Sequence, residues 1–212
     1  MASFSSLRVP LANIAIHLAW QLALHPVFSS IPLDRKRLSA FLQRYFMLKP
    51  GDPRLLTLFT SAFSHIQPLH LFVNMTTYKT YVESLYLLGI SPLRFALLAV
   101  GSGLTASLSY VFSVRRRRRV RSYAEKSAVG ASGVITGLGM ALACMFPMLK
   151  VRLWGTNQVL PLRAAALATL AIDVYYLSTE QETGVGHAGH VGGALFGLVY
   201  FLWRKSTGAW NL

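Results

Sequence analysis

Ser132 and His190 are the two residues whose types could together perform nucleophilic catalysis. Ser132 lies within the motif Gly130-Ala-Ser-Gly133 at the start of an apolar run, where its hydroxyl is uncrowded. The first turn of a helix also has unpaired backbone N–H groups, which can bind an oxyanion. His190 opens another apolar run, and a histidine hydrogen-bonded to a serine can accept its proton. Taken alone, a serine between glycines is more often a residue that packs helices together.

A second polar pair, His70 and Asn74, is separated by four positions in an apolar run. This spacing places both side chains on one face of a helix, one turn apart, where both can donate hydrogen bonds to a common point. The alternative is that they join neighbouring helices. Ser64 and Gln67 fit a capping box, so the spacing predicts that this helix begins near His65.

Glycines accompany both catalytic candidates at intervals of four. Such small-xxx-small ladders allow helix backbones to approach closely. If the two ladders pack together, His190 comes within reach of Ser132. The ladders are Gly133 and Gly137 beside the serine, and Gly189, Gly193 and Gly197 beside the histidine.

The elements that must position these residues follow from composition. Apolar residues make up 53% of the 212-residue chain and charged residues only 13%, yet the net charge is +14. This combination excludes an acidic enzyme and a disordered chain, and leaves a nucleic-acid binder or a membrane protein with basic loops. Long stretches lack Asp, Glu, Lys and Arg: 9–33, 55–78, 95–114, 127–149, 183–203, and 164–179 apart from Asp173.

Stretches of about 20 apolar residues predict membrane-spanning helices. A nucleic-acid domain would scatter its basic residues along amphipathic faces, so no nucleic-acid partner is expected. The predicted fold class is an all-α membrane protein, a six-transmembrane-helix bundle that forms a single domain over residues 1–212. The predicted helices are about 11–28, 66–87, 92–113, 130–148, 160–178 and 188–203, with a basic loop at 115–126.

The predicted topology places the four polar candidate residues at a similar depth in the membrane. The second, fourth and sixth helices all begin on the same side of the membrane, and the four polar candidates lie within about two turns of those helix starts. Independent packing roles would not predict this agreement. The joint interpretation is a Ser–His dyad with oxyanion donors, just below the membrane surface, formed by His70, Asn74, Ser132 and His190.

Three motifs in this order resemble those of the rhomboid intramembrane serine proteases. The resemblance covers the six-helix core, about residues 10–205, and looks most like the mitochondrial, presenilin-associated rhomboid-like branch. The motifs are His65-x4-His70-x3-Asn74, Gly130-Ala-Ser132-Gly133 and Gly189-His190-x-Gly192-Gly193-x3-Gly197.

The resemblance implies a role for each residue. Ser132 would be the nucleophile and His190 the general base and acid. His70, Asn74 and the backbone N–H of Ser132 would stabilise the oxyanion. The substrate would be a transmembrane helix in the lipid bilayer, and no metal or cofactor is implied. Supporting roles would fall to His65, Gly130, Gly133, Gly193 and Gly197.

Two positions affect how His190 is oriented. Many relatives carry a tyrosine four residues after the serine, stacked on the catalytic histidine, whereas this chain has Thr136. The orientation of His190 would then depend on other groups. Asp173 lies toward the active end of the fifth helix and could orient His190, although an interfacial or paired carboxylate is the alternative.

The basic residues predict an orientation. Thirteen of the 21 Lys and Arg residues lie on the predicted active-site side and seven on the opposite side. The positive-inside rule places the richer side in the cytoplasm or matrix. The charge distribution thus predicts the orientation of a multi-pass membrane protein. It agrees with the mitochondrial branch, and the resemblance to that branch implies the mitochondrial inner membrane and a site that faces the matrix.

Two other functions remain open. One is a catalytically inactive rhomboid-like protein that binds membrane-protein clients without cutting them. The other is a transporter or channel in which histidine and asparagine line a polar path. Retention of both Ser132 and His190 favours the protease.

Overall fold

The structure is a computed structural model that describes residues 2–120, 126–152 and 155–208. Within these ranges the chain forms eight α-helices and one short antiparallel hairpin. The helices are α1 (Ala2–Leu24), α2 (Arg35–Phe46), α3 (Thr57–Thr60), α4 (Pro68–Leu87), α5 (Pro92–Val120), α6 (Ser132–Met145), α7 (Leu162–Thr179) and α8 (His187–Ser206). The strands are β1 (Lys150–Arg152) and β2 (Val159–Pro161).

The six predicted helices correspond to α1 and α4–α8, with corrections to their boundaries. The first helix is predicted at about 11–28, but α1 begins at Ala2 and ends at Leu24, because His25 begins a separate short turn over Pro26–Phe28. The predicted basic loop is wrong for its first part, because Arg115–Arg119 form the last turns of α5. Arginine is a good helix former, and cations are favourable near a helix C-terminus. The mostly exposed guanidinium groups therefore extend the helix beyond its apolar run. Arg121 lies outside the described residues.

The predicted start of the second helix is also wrong. This helix, α4, begins at Pro68, and its N-cap Gln67 makes no side-chain cap. The Ser64 hydroxyl instead accepts a hydrogen bond from the indole N–H of Trp20. Proline suits a first helical position because it lacks the N–H that would be unpaired there.

The structure contains elements that the apolar pattern did not predict. Helix α2 lies in the first loop, where the Asp34 carboxylate caps it by accepting from the backbone N–H of Arg37 at 3.0 Å. The hairpin joins α6 to α7 and pairs Lys150 with Pro161. These elements are too short or too charged to produce a long apolar run.

The described helices agree with an α-helical membrane protein. Two segments, Leu7–Leu24 and Pro92–Arg119, are long and apolar enough to cross a membrane by length and composition. Ser132–Met145 is a shorter apolar helix. The six-span arrangement stays a prediction.

Helix α6 lies at the centre of the bundle and contacts α4, α5, α7 and α8. Its Leu138 and Leu142 are fully buried. Because α6 is enclosed on several sides, the surrounding helices fix the position of the helix that begins with Ser132.

Candidate active site

Ser132 and His190 meet at the starts of two adjacent helices. Ser132 is the first residue of α6, and His190 lies in the first turn of α8. The Ser132 Oγ and His190 Nε2 atoms are 2.8 Å apart, which is a hydrogen-bond distance. Both side chains are half-buried. The predicted contact is therefore present, and its geometry allows the imidazole to accept the serine proton.

The two glycine ladders bring α6 and α8 into backbone contact, as predicted. A Cβ added at Gly193 would lie 1.9 Å from the carbonyl oxygen of Gly133. A Cβ at Gly197 would lie 2.2 Å from the carbonyl oxygen of Gly137. No other residue type fits at these separations without moving a backbone, so the glycines set the spacing of the Ser132–His190 pair.

His70 and Asn74 converge on Gly130, two residues before the serine. A Cβ at Gly130 would lie 2.6 Å from His70 Cε1 and 3.6 Å from Asn74 Nδ2. Gly130 also has φ +129°, a conformation that side-chain-bearing residues rarely adopt. The structure thus brings the two predicted oxyanion donors beside the turn that leads into Ser132.

His65 connects this turn to α4. Its buried Nε2 accepts a hydrogen bond from Asn74 Nδ2 at 2.7 Å and from the backbone N–H of Ala131 at 3.3 Å. His65 lies in the loop before α4, where burial, with smaller contributions from His70 and His17, lowers its pKa to about 3. The ring is therefore neutral near pH 7, as an accepting Nε2 requires. His65 positions both Asn74 and the residue before Ser132.

A set of contacts from α1, which the sequence pattern did not predict, holds the loop that contains His65. The His17 Nδ1–H donates to the carbonyl oxygen of His65 at 2.9 Å. The Trp20 indole donates to Ser64 Oγ at 2.7 Å, and Gln21 Nε2 donates to the carbonyl oxygen of Ile66 at 2.8 Å. We call these three contacts the α1 latch. The one signal for it in the sequence is the helical spacing of 17, 20 and 21, which places three hydrogen-bonding side chains on one face of an apolar helix.

Asp173 is a buried carboxylate beside the dyad. It is 4% exposed in α7, and its Oδ1 lies 2.6 Å from His187 Nδ1 and 3.1 Å from His190 Nδ1. Asp173 is thus a paired carboxylate, and because His190 is one of its partners, the pairing is also compatible with a role in orienting His190. His187 was not predicted as a site residue. The ligand atoms of the three residues lie within 4.8 Å of one another, so the cluster could also hold a metal ion.

A cavity of about 720 Å³ contains the site. Its lining includes all four predicted polar candidates, the loop at 126–130 and the segment at 181–190 that precedes and begins α8. The remaining wall is formed largely by small or apolar side chains of α4 and α5. The cavity therefore offers room for a reacting group beside Ser132 Oγ.

The fold and the site define an α-helical membrane protein in which a serine and a histidine pair at two helix starts. The sequence profile of the Rhomboid domain matches residues 52–205, and the chain belongs to the rhomboid family. This confirms the family predicted from the three motifs. Members of this family are embedded in membranes.

The chain is similar to presenilin-associated rhomboid-like protein A, mitochondrial, of Danio rerio. The two are 31% identical over 177 residues. The match covers 78% of this chain and 43% of the relative, so the chain spans less than half of the relative's length. The resemblance to this mitochondrial branch is thereby confirmed.

Proposed function

We propose that this protein is an intramembrane serine endopeptidase that hydrolyses a peptide bond in or near a transmembrane helix of its substrate. The observation that carries the proposal is the 2.8 Å contact between Ser132 Oγ and His190 Nε2. The Ser132–His190 pair lies in the cavity beside further hydrogen-bond donors, and this position supports the same reaction. Family membership supports the membrane setting.

In the acylation step, Ser132 Oγ attacks the peptide carbonyl carbon while His190 Nε2 accepts the hydroxyl proton. The carbonyl oxygen becomes an oxyanion, which His70, Asn74 and the backbone N–H of Ser132 stabilise. His190 then donates its proton to the leaving amine as the C–N bond breaks. The products are the free amine fragment and an acyl ester on Ser132.

In the second step, water attacks the ester carbonyl and His190 accepts a proton from that water. Collapse of the second tetrahedral intermediate releases the substrate carboxylic acid, and the proton returns to Ser132 Oγ. No step requires a metal or a cofactor.

The proposed setting is a single multi-pass domain in a lipid bilayer, with six spanning helices. The excess of Lys and Arg on the active-site side favours a matrix-facing site, and the mitochondrial relative favours the mitochondrial inner membrane. The partners are transmembrane-helix substrates, and nucleic acid is not among them.

The test is cleavage of a transmembrane reporter by wild type and by Ser132→Ala in detergent. We expect fragments from wild type and none above background from the variant, because the dyad works as a unit. A serine-directed fluorophosphonate should label wild type at Ser132. Equal cleavage by both proteins would exclude Ser132 as the nucleophile. If wild type neither cleaves nor reacts, the inactive client-binding alternative replaces the protease.

Comparing membrane-protein fragments in cells that express wild type or Ser132→Ala would then identify substrates. Fragments present only with wild type are the expected result. Tagging the C-terminus for protease protection tests the orientation: a C-terminus on the cytoplasmic or matrix side would contradict a matrix-facing site.

A further inference from the structure

We propose that Asp173 is a positioning residue that holds His190 in the tautomer and orientation required for proton transfer. This inference rests on the proposed hydrolytic function and adds a third member to the Ser132–His190 pair. This role would explain why an acidic side chain lies in an otherwise apolar helix.

Asp173 is a buried carboxylate in an apolar helix, and its burial has a cost. It is the one acidic residue of α7, in a segment composed otherwise largely of alanine, leucine, isoleucine, valine and tyrosine. An ionisable side chain in a membrane helix is expensive unless it is paired. Asp173 is 4% exposed, and both of its partners are imidazoles at the active site. The carboxylate is therefore directed at the site rather than at solvent.

The contact with Asp173 determines the tautomer of His190. A carboxylate oxygen can only accept, so the 3.1 Å contact with Asp173 requires a proton on His190 Nδ1. A neutral ring then has an unprotonated Nε2, which faces Ser132 Oγ at 2.8 Å. This is the tautomer that can accept the serine proton. The opposite tautomer would present an N–H to the serine and could not act as a base.

Thr136, the residue four positions after the serine, contacts the backbone of His190 rather than its ring. Its hydroxyl lies 3.1 Å from the backbone oxygen of His190 and 3.0 Å from that of Gly133. Thr136 thus ties α8 to α6 through the backbone and makes no hydrogen bond to the His190 ring among the contacts described. The ring depends instead on Asp173 at Nδ1 and Ser132 at Nε2.

The Asp173 carboxylate is itself held in place by His187. The same Oδ1 atom accepts from His187 Nδ1 at 2.6 Å. The His187 ring stacks on Tyr176 at 5.0 Å between centroids, and its Nε2 contacts Thr183 Oγ1 at 2.6 Å. With the proton of His187 on Nδ1, Thr183 donates to Nε2. His187 is therefore fixed at three points, and it holds Asp173 without touching Ser132.

The experiment compares Asp173→Asn with His187→Gln, which removes the ring of the other histidine bonded to the same oxygen. Asparagine has nearly the shape of aspartate but lacks the charge that stabilises the imidazolium formed during reaction. We expect Asp173→Asn to lower kcat by about 100- to 10,000-fold with little change in KM. His187→Gln should lose no more than about tenfold, as expected for one weakened hydrogen bond.

The pH profile distinguishes positioning from a structural role. Among the described residues, the titratable groups acting on His190 are Asp173 from α7, His187 from α8 and His70 from α4. Without the carboxylate an imidazolium releases its proton more readily, so the acid limb of the kcat profile should move to lower pH in Asp173→Asn. A structural variant would lower the amount of folded enzyme without moving that limb.

A measurement on wild type covers the case in which Asp173→Asn does not fold. Nitrogen-15 spectra of histidine-labelled protein, assigned with His190→Gln, report which ring nitrogen is protonated. We expect a protonated Nδ1 and an unprotonated Nε2 on His190. The opposite tautomer would overturn the inference, as would a folded Asp173→Asn with wild-type kcat and pH profile. Wild type that is no more active than Ser132→Ala would instead overturn the proposed function.

Discussion

The two halves of the candidate site are held by different kinds of contact. The half that contains Ser132 and His190 is fixed by glycine backbones, with a Cβ at Gly193 placed 1.9 Å from a carbonyl oxygen. In the half on α4, Asn74 donates a hydrogen bond to His65, whose ring also accepts one from the backbone N–H of Ala131. The α1 latch holds the loop that contains His65. Close-packed backbones cannot adjust, whereas a single hydrogen bond contributes only about 0.5–1.5 kcal/mol. We therefore expect substitutions that overlap a backbone in the first half to abolish activity. Substitutions in the second half should reduce activity or stability by measurable amounts.

The largest effect should come from Gly193→Ala. The added methyl group would overlap the Gly133 carbonyl, and it would lie only 2.8 Å from Thr136 Oγ1. Helices α6 and α8 must separate, and Ser132 then loses contact with His190. We expect loss of reporter cleavage and of most folded protein, since overpacking typically costs about 1–3 kcal/mol even where side chains can yield. Cleavage and the thermal midpoint of unfolding in detergent check this.

Gly189→Ala is the matched control on the same ladder, one turn earlier. Its Cβ would lie 3.5 Å from the carbonyl oxygen of Ala106, an ordinary van der Waals contact. This variant should remain folded and active. If both alanine variants behave alike, the ladder is not what sets the spacing of the two helices.

The next largest effect should come from Asn74→Ala, which removes a donor from the α4 half. Loss of one oxyanion donor lowers turnover by roughly 100- to 1,000-fold. Because such a donor acts chiefly in the transition state, kcat and kcat/KM should fall together. Steady-state kinetics with a peptide reporter measure both quantities.

Thr77→Val provides the control for that prediction. Thr77 lies one turn further along α4, and its hydroxyl bonds back to the carbonyl oxygen of Val73 at 2.8 Å. Its removal should leave turnover unchanged. A fully active Asn74→Ala would mean that Asn74 serves only to hold His65.

The difference between backbone packing at glycines and side-chain hydrogen bonding also explains what could be predicted from the sequence. The lengths of the apolar runs identify the six core helices, because each helix must bury an uninterrupted apolar stretch or insert it into the membrane. Glycine spacing identifies the α6–α8 contact, since close approach demands glycine at defined intervals. Both signals are local and periodic, and together they allow Ser132 and His190 to be paired from the amino-acid sequence alone.

The side-chain contacts could not be predicted in the same way. The bond from Trp20 to Ser64 joins residues 44 positions apart, and that from His187 to Asp173 depends on how α7 packs beside α8. The helical spacing of positions 17, 20 and 21 marks a polar face on α1 but does not identify Ser64 as the partner, and the second bond has no periodic signal at all. Ser64 is an example. Its type and spacing fit a capping box, but its hydroxyl oxygen instead accepts a hydrogen bond from the distant indole of Trp20.

The smallest effect should come from weakening the α1 latch. Trp20→Phe removes the indole N–H that bonds Ser64 Oγ at 2.7 Å, in a place where both residues are buried. We expect a loss of about 0.5–1.5 kcal/mol in stability, with turnover close to wild type, because His17 and Gln21 still hold the loop. Thermal unfolding in detergent measures the stability change.

A double-mutant cycle with Ser64→Ala separates the hydrogen bond from the smaller ring of phenylalanine. If the latch bond acts as inferred, the double variant is less destabilised than the sum of the single variants, since either change alone already breaks the bond. Additive losses would show that Trp20 contributes only by packing. If instead the single variants abolished turnover, the α4 half would be as sensitive to substitution as the glycine-packed half. The proposed difference between the two halves would then be wrong.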